Sequence, residues 1–325
     1  MTARVLALFL GGTIGMTGHR DGVVSRLTAA DLVASVPQLA ALDVELEAST
    51  FRNLPSAHLT FADVLELVST AENADVDGVV VVQGTDTLEE TAYLIDVVWP
   101  HDTPVVVTGA MRNPTMAGSD GPANLLAAVQ VAAGTEFRGL GALVVFNDQV
   151  HAARFARKTH STSTATFASP NAGPLGLLVE GRPVRMTSVA RRPVHRPVRE
   201  PDARVPIHSV GMDDEGWPGG GSAGRPDGLV VAALGVGHVP EHLAHDLVAL
   251  AESIPVVLTS RTGAGPVLSH TYGFAGSETY LLAGGLVSGG LLDPYKARIL
   301  LKVALACDYD QEQIGRAFAV AGGLA

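Results

Sequence analysis

Residues 5–15 read VLALFLGGTIG, an apolar run that ends in two glycines and a threonine. Residues 78–90 read GVVVVQGTDTLEE and repeat this design. Short apolar runs bounded by glycine are typical of buried parallel strands. Each stretch therefore puts a threonine, Thr13 or Thr85, just past the carboxyl end of a strand. Ligands bind at that edge of open α/β sheets, so the two stretches predict a site with two hydroxyl groups.

The N-terminal part of the chain alternates short apolar runs with amphipathic segments. The pattern predicts strands at residues 5–10, 44–46, 78–82, 105–108 and 143–146. It predicts helices at residues 29–36, 61–73, 88–98 and 121–133, with Thr28, Thr60 and Asp120 as caps. A hairpin is expected around Glu180-Gly181. This alternation indicates βαβ units, so we expect an α/β fold with a parallel sheet and helices on both faces.

Composition along the chain predicts two domains. Residues 189–204 are rich in Arg and Pro and are interpreted as a linker. We expect a larger N-terminal domain over residues 1–188, which carries both threonines, and a smaller C-terminal α/β domain over residues 205–325. The second domain has predicted strands at 205–210, 229–234 and 256–259 and helices at 241–251 and 295–306.

Bulk composition excludes several classes of protein. The chain has 325 residues, of which 47% are hydrophobic and 17% charged, so it can bury sizeable cores. A net charge of −11 argues against nucleic acid or an anionic membrane as partner. The single cysteine, Cys307, excludes a disulfide within the chain, and we expect it to be a buried thiol. The apolar run at residues 5–10 is too short for a signal peptide, which predicts a cytoplasmic protein.

Thr13 and Lys158 are candidates for chemistry that also have simpler interpretations. A threonine hydroxyl attacks only when a base or a positive neighbour activates it, and Gly-Gly-Thr alone favours a turn residue. An isolated lysine is usually a solvated surface residue. A lysine buried beside a carboxylate can instead shift its pKa and act as a base.

The second threonine motif is more specific. Thr85 and Asp86 bring a hydroxyl and a carboxylate to the same strand end. Thr87 followed by Glu90 also has the pattern of a capping box at a helix N-terminus. Both interpretations hold together, because a cap at Thr87 leaves Thr85 and Asp86 available.

The chain resembles the bacterial-type L-asparaginases, which are asparaginase/glutaminase amidohydrolases, over essentially its full length. Six matching motifs occur in order: GGTI at 11–14, GTDTLEETA at 84–92, TGAMR at 108–112, DGPANL at 120–125, GPLG at 173–176 and PYKARILL at 294–301. The resemblance implies hydrolysis of the side-chain amide of L-asparagine to L-aspartate and ammonia through a threonine acyl-enzyme. It implies no metal and no cofactor, and a homotetramer built from intimate dimers.

The resemblance also implies catalytic roles for individual residues. Thr13 matches the family's acylated nucleophile. Thr85, Asp86 and Lys158 match a second set, in which the lysine assists proton transfer. Asp86 in addition holds the α-ammonium group of the substrate.

Substrate-binding roles follow in the same way. Ser56 matches a serine that binds the α-carboxylate, and Gly84 lies in the matched second motif. The backbone N–H of Ala110 is expected to stabilise the oxyanion. Ala57 stands where a substrate-binding Gln or Ser is common. Glu278 falls at the spacing of a glutamate that the family donates across a subunit interface, although in this Gly/Ser/Thr-rich stretch a solvated loop glutamate is the simpler interpretation.

The sequence departs from the family pattern at further places. Leu10 replaces the usual threonine before Gly-Gly, and Pro240 stands where an interface asparagine that supports the site is often found. Gln83 replaces the usual histidine before Gly-Thr-Asp, and residues 21–24 read DGVV. Many members have a tyrosine in that segment, which hydrogen-bonds the nucleophile. The missing tyrosine and Ala57 leave open a catalytically weak amino-acid-binding relative. The sequence also leaves open a glutaminase preference, which depends on the fit of one methylene group.

Two other classes of protein compete with the amidohydrolase interpretation. Gly235 and Gly237 follow a predicted strand as in dinucleotide-binding proteins, but the third glycine of that fingerprint is absent. His238, His242 and His245 lie close together in sequence but lack a carboxylate or cysteine at ligand spacing, so surface histidines are the preferred interpretation.

Overall fold

The structure is a computed structural model that describes residues 2–17, 24–25, 27–191, 193–199, 201–217 and 224–323. The chain divides into two compact units, Met1–Val194 and His195–Ala325. The predicted linker at 189–204 includes residues 192 and 200, which lie outside the described residues, so its bounds stay a prediction. None of the helices in the described ranges has the length and apolar character needed to cross a bilayer.

The first unit alternates strands and helices. Its strands are β1 Ala3–Phe9, β2 Met16–Thr17, β3 Val24–Ser25, β4 Val44–Thr50, β5 Gly78–Val82, β6 Val105–Thr108, β7 Ala142–Phe146, β8 Gln149–Ala152, β9 Arg157–Lys158, β10 Phe167–Ala168, β11 Gly176–Val179 and β12 Arg182–Arg185. Its helices are α1 Ala29–Ala34, α2 Phe61–Glu72, α3 Leu88–Val98 and α4 Gly121–Ala133. The predicted helices at 88–98 and 121–133 are therefore confirmed.

The large sheet has the strand order β12-β11-β8-β7-β6-β5-β1-β4. Strands β4, β1, β5, β6 and β7 are parallel, and β8, β11 and β12 extend the sheet in antiparallel fashion. The predicted hairpin joins β11 and β12. Its two turn residues, Glu180 (φ 49°) and Gly181 (φ 73°), both lie in the left-handed region, as a tight two-residue hairpin requires.

Helices cover both faces of this sheet. Every residue of β5 is buried, so this strand has no solvent face. Val80 and Val82 pack in a core with helix α4, and successive side chains of a strand point to opposite faces. Val79 and Val81 therefore point to the other face, on which helix α3 packs against β6 and β7. This arrangement confirms the predicted α/β architecture.

The second unit contains a smaller parallel sheet. Its strands are β13 Ile207–Ser209, β14 Leu229–Ala233, β15 Val256–Ser260 and β16 Val287–Ser288, in that order across the sheet. Its helices are α5 Glu241–Ala251, α6 Glu278–Ala283, α7 Pro294–Ala306 and α8 Gln311–Gly322. Cys307, expected to be buried, is only partly buried at the end of α7. Burial and the neighbouring Asp308 raise the pKa of its thiol, so the thiol stays protonated at neutral pH.

A buried histidine makes the stability of the first unit depend on pH. His151, on β8, is 1% exposed and shares a hydrogen bond between Nδ1 and Ser169 Oγ (2.9 Å). Burial lowers its pKa from 6.5 to about 4. Between pH 6.5 and about pH 4 the unfolded chain therefore binds a proton that the folded chain does not bind. The free energy of unfolding falls by roughly 3 kcal/mol as the pH drops through this range.

We expect His151→Asn to flatten that pH dependence. Asparagine keeps a polar atom near the position of Nδ1 for Ser169 but does not titrate. Urea unfolding of wild type and variant at several values between pH 4 and pH 7 measures the difference. Parallel pH profiles for the two proteins would contradict a neutral, buried His151.

Candidate active site

The two threonine motifs meet at the adjacent ends of strands β1 and β5. Leu10 N–H donates to Val82 O (2.8 Å), which continues the pairing of the two strands. Gly12 has φ +91°, and a Cβ built on it would lie 2.1 Å from the backbone nitrogen of Gly84. Only glycine permits this approach, because any side chain would collide with the second motif. Thr13 starts the next turn and is partly buried beside this contact.

Thr85, Asp86 and Lys158 form one hydrogen-bonded group. Lys158 Nζ donates to Thr85 Oγ1 (2.9 Å) and to Asp86 Oδ1 (2.8 Å). The Thr85 residue is 5% exposed and the Lys158 side chain 17%, whereas the Asp86 side chain is 70% exposed. The carboxylate is thus open to a ligand while the hydroxyl and the ammonium face each other in a largely enclosed place. A hydroxyl in contact with an amine can exchange a proton with it.

Ser56 lies against the second motif. It is 4% exposed, and its Oγ accepts a hydrogen bond from Asp86 N–H (3.3 Å). A Cβ on Gly84 would be 2.7 Å from this Oγ, so the serine and the glycine are in direct contact. Ala57, the next residue, is exposed in the same short turn.

The capping-box prediction for Thr87 and Glu90 is wrong. Thr87 Oγ1 donates to Ser56 O (2.9 Å) instead of accepting a hydrogen bond from the first turn of α3. The hydroxyl thereby fixes the serine turn to the second motif. A local sequence pattern does not show this competing acceptor, which lies 31 residues away.

Ala110 follows β6 in a loop whose backbone is held on both sides. The Asp120 carboxylate accepts from Met111 N–H (3.0 Å) and Arg112 N–H (2.8 Å), and Asn124 Nδ2 donates to Gly109 O (3.0 Å). Asp120 does precede α4 as predicted, but its carboxylate binds this loop rather than capping the helix. Such fixed backbone is what an oxyanion-binding N–H needs, since it costs no reorganisation.

Glu278 lies in the second unit and is buried, not solvated. It is the first residue of helix α6, its exposure is 0%, and its carboxylate accepts from Thr271 N–H (3.0 Å), Tyr272 N–H (2.9 Å) and His238 Nε2 (3.2 Å). The interpretation of Glu278 as a solvated loop residue is therefore wrong. Burial alone would raise its pKa, but hydrogen bonds from the backbone of Tyr272, Thr271 and Glu278 and from His238 together lower the pKa. The carboxylate is held charged in one orientation.

The features behind the competing interpretations have other partners in the structure. His238 binds Glu278, His242 Nε2 donates to Asp214 O (2.9 Å), and His245 packs edge-on against Tyr280. Gly237 has φ +121°, and a Cβ built on it would lie 3.2 Å from the Cβ of Glu278. A glycine at position 237 therefore has a structural reason, which is this positive φ and the close contact with Glu278.

Two family models together match most of the chain. Residues 4–191 match the family model "Asparaginase, N-terminal", and residues 221–318 match "Glutaminase/Asparaginase C-terminal domain". The chain belongs to the asparaginase family.

Relatives of this asparaginase-family chain are similar over nearly their whole length. A protein of Deinococcus radiodurans named "Probable L-asparaginase" is 38% identical over 97% of this chain and 97% of its own. The "L-asparaginase" of Bacillus licheniformis is 34% identical over 94% and 96% of the two chains. The "Glutaminase-asparaginase" of Pseudomonas aeruginosa is 33% identical over 97% and 90%.

The structure brings together Thr13, Ser56, Gly84, Thr85, Asp86 and Lys158 around two strand ends, and their individual roles remain predictions. The segment in which many family members have a tyrosine corresponds to residues 21–24, of which 21–23 lie outside the described residues. Glu89 and the amide of Gln83 were not among the predicted site residues. Gln83, the residue before Gly84, is fully buried. Its Oε1 has no hydrogen-bond partner in the part of the chain that the structure describes.

Proposed function

We propose that this chain is an L-asparaginase that hydrolyses the side-chain amide of L-asparagine to L-aspartate and ammonia. The observation that carries the proposal is the meeting of two glycine-flanked threonines at adjacent parallel strand ends, one of them bonded to a lysine. The names of the relatives support the same activity.

The proposed chemistry proceeds through an acyl-enzyme. Thr13 Oγ attacks the amide carbon, and backbone N–H groups that include Ala110 stabilise the negative oxygen of the tetrahedral intermediate. The C–N bond then breaks and the leaving nitrogen takes a proton, so that ammonia departs. Water attacks the ester next, which releases aspartate and restores the Thr13 hydroxyl. The hydrogen-bonded pair of Thr85 and Lys158 carries protons in both halves.

Groups beside the threonines suit an α-amino acid. Asp86 offers an exposed carboxylate that would attract the α-ammonium group, and the Ser56 hydroxyl lies at the Asp86 backbone, where it would bind the α-carboxylate. We therefore expect substrates that lack the α-amino group to be poor ones.

Glutaminase activity is the second candidate, and the name of the Pseudomonas aeruginosa relative favours it. The two substrates differ by one methylene, which a pocket distinguishes by about 1–3 kcal/mol. Ammonia release from L-asparagine and L-glutamine, measured side by side with the purified protein, decides between them. Release from neither amide would remove the proposal and leave a binding protein.

We propose that the enzyme is cytoplasmic, a proposal that agrees with the incorporation of the apolar residues 5–9 into strand β1 of the large sheet. A relative in Haemophilus influenzae is named "Probable L-asparaginase periplasmic", so compartments differ among the relatives. Cell fractionation with detection of the protein tests the location.

We further propose a homotetramer of intimate dimers, in which Glu278 completes the amino-acid pocket of a neighbouring copy. Its charged, oriented carboxylate would add attraction for the α-ammonium group. Mixing inactive Thr13→Ala chains with Glu278→Ala chains should then regenerate some sites that carry both wild-type residues. We expect ammonia release from the mixture to exceed that of either variant alone.

Subunit exchange is verified in the same experiment with two differently tagged chains. Mixing Thr13→Ala chains with Thr85→Ala chains is the matched control, because both residues belong to one chain's site. The control should show no rescue. Absence of rescue in the Glu278 mixture after verified exchange, or full activity of a monomer in light scattering, would contradict a shared site.

A further inference from the structure

One short segment of the chain, residues 85–89, hydrogen-bonds both the side-chain amine and the backbone N–H of Lys158. Its Nζ bonds Thr85 and Asp86, while its backbone N–H donates to Glu89 Oε2 (2.9 Å). Glu89 stands three residues after Asp86, in the first turn of α3. Residues 85–89 thus contact the side chain and the main chain of the same lysine, which is 69 residues distant from Glu89 in sequence.

The strand that carries Lys158 is short, whereas Glu89 lies in a helix that packs on the large sheet. Lys158 belongs to β9, a strand of two residues that pairs with the two residues of β10 in a two-stranded sheet separate from the large sheet. Glu89 is different, because its residue is 7% exposed and its helix packs on β6 and β7. A hydrogen bond from a backbone N–H to a carboxylate is among the stronger ones in proteins.

We infer that Glu89 is a positioning residue for the reaction, which acts by fixing the main chain of Lys158 so that Nζ reaches Thr85 and Asp86 together. This inference rests on the proposed function of Lys158. A lysine side chain is a flexible four-carbon stem with four rotatable bonds. Its amine therefore has a defined position only if the backbone that carries it has one. Displacement of a reacting group by about 1 Å can lower a rate about a hundredfold.

The simpler alternative is that Glu89 only stabilises the N-terminus of α3 by its negative charge. Two substitutions separate the alternatives. Glu89→Gln keeps the length and an acceptor oxygen but loses the charge, whereas Glu89→Asp keeps the charge but is one methylene shorter. Positioning predicts that Gln preserves turnover better than Asp, and helix stabilisation by charge predicts the reverse order.

We expect Glu89→Ala and Glu89→Asp to lower kcat by roughly ten- to hundredfold with KM changed less than about threefold. Glu90→Ala is the matched control, since Glu90 is the neighbouring acidic residue of the same first turn. Thermal unfolding of all variants is compared with that of the control. A kcat for Glu89→Ala equal to that of Glu90→Ala, or a Glu89→Asp variant as active as Glu89→Gln, would overturn the inference.

A double-mutant cycle keeps this inference distinct from the proposed function. If Glu89 acts through Lys158, Glu89→Gln and Glu89→Asp should have no further effect on kcat in a Lys158→Met background. Additive losses would overturn the positioning role. Normal turnover of Lys158→Met alone would instead overturn the proposed function of the lysine, so the two failures are told apart.

Discussion

Replacing Thr13 with alanine is expected to lower kcat by roughly four orders of magnitude or more, because loss of a nucleophile leaves only binding and oxyanion stabilisation. Thr13 occupies a half-buried turn, and removal of its hydroxyl leaves the contact between Gly12 and Gly84 unchanged. The fold and the affinity for aspartate should therefore be retained. Ammonia release, circular dichroism and aspartate binding by calorimetry measure the three quantities.

Thr13→Ser is the matched control for this result. A serine keeps a hydroxyl at the same position, so a substantial fraction of turnover should return. The structure makes one opposite outcome worth measuring, because Lys158 Nζ bonds Thr85 and not Thr13. If Thr13→Ala kept near wild-type turnover while Thr85→Ala lost it, the attacking hydroxyl would be that of Thr85.

Replacing Lys158 with methionine is expected to have the second-largest effect, a loss of about 10²–10⁴-fold in kcat. Methionine fills a similar volume but carries no proton and donates no hydrogen bond to Thr85 or Asp86. KM should change little, because the proposed contacts to the α-ammonium and α-carboxylate groups come from Asp86 and Ser56. Steady-state ammonia release at saturating and limiting asparagine separates kcat from KM.

Lys158→Arg distinguishes proton transfer from charge. Arginine keeps the positive charge and can donate to both partners, but it does not lose its proton at accessible pH. A proton carrier predicts that Lys158→Arg stays impaired, whereas a purely electrostatic role predicts recovery. Wild-type turnover of Lys158→Met would return the lysine to a structural role in which it holds the Thr85 and Asp86 turn.

The element pattern of this protein could be predicted locally where burial is complete and the ends are marked. Strand Gly78–Val82 is buried on both faces, so its sequence is a continuous run of apolar residues after a glycine. Helix Phe61–Glu72 begins with the predicted cap, in which Thr60 and Asp63 bond each other's backbone. Helix α8 was missed although Asp310 and Gln313 form the same kind of capping box, which shows that the signal was present.

Sequence by itself determined which two strands end in a glycine and a threonine, because backbone conformation and local apolar pattern are properties of neighbouring residues. Only the tertiary structure decided which partners the polar side chains have and which of these side chains are buried. Thr87 bonds the serine turn, Asp120 bonds the loop around Ala110, Glu278 is buried, and Glu89 holds the main chain of Lys158. A carboxylate or hydroxyl can bond any donor or acceptor within reach, and the fold alone selects which one is within about 3 Å.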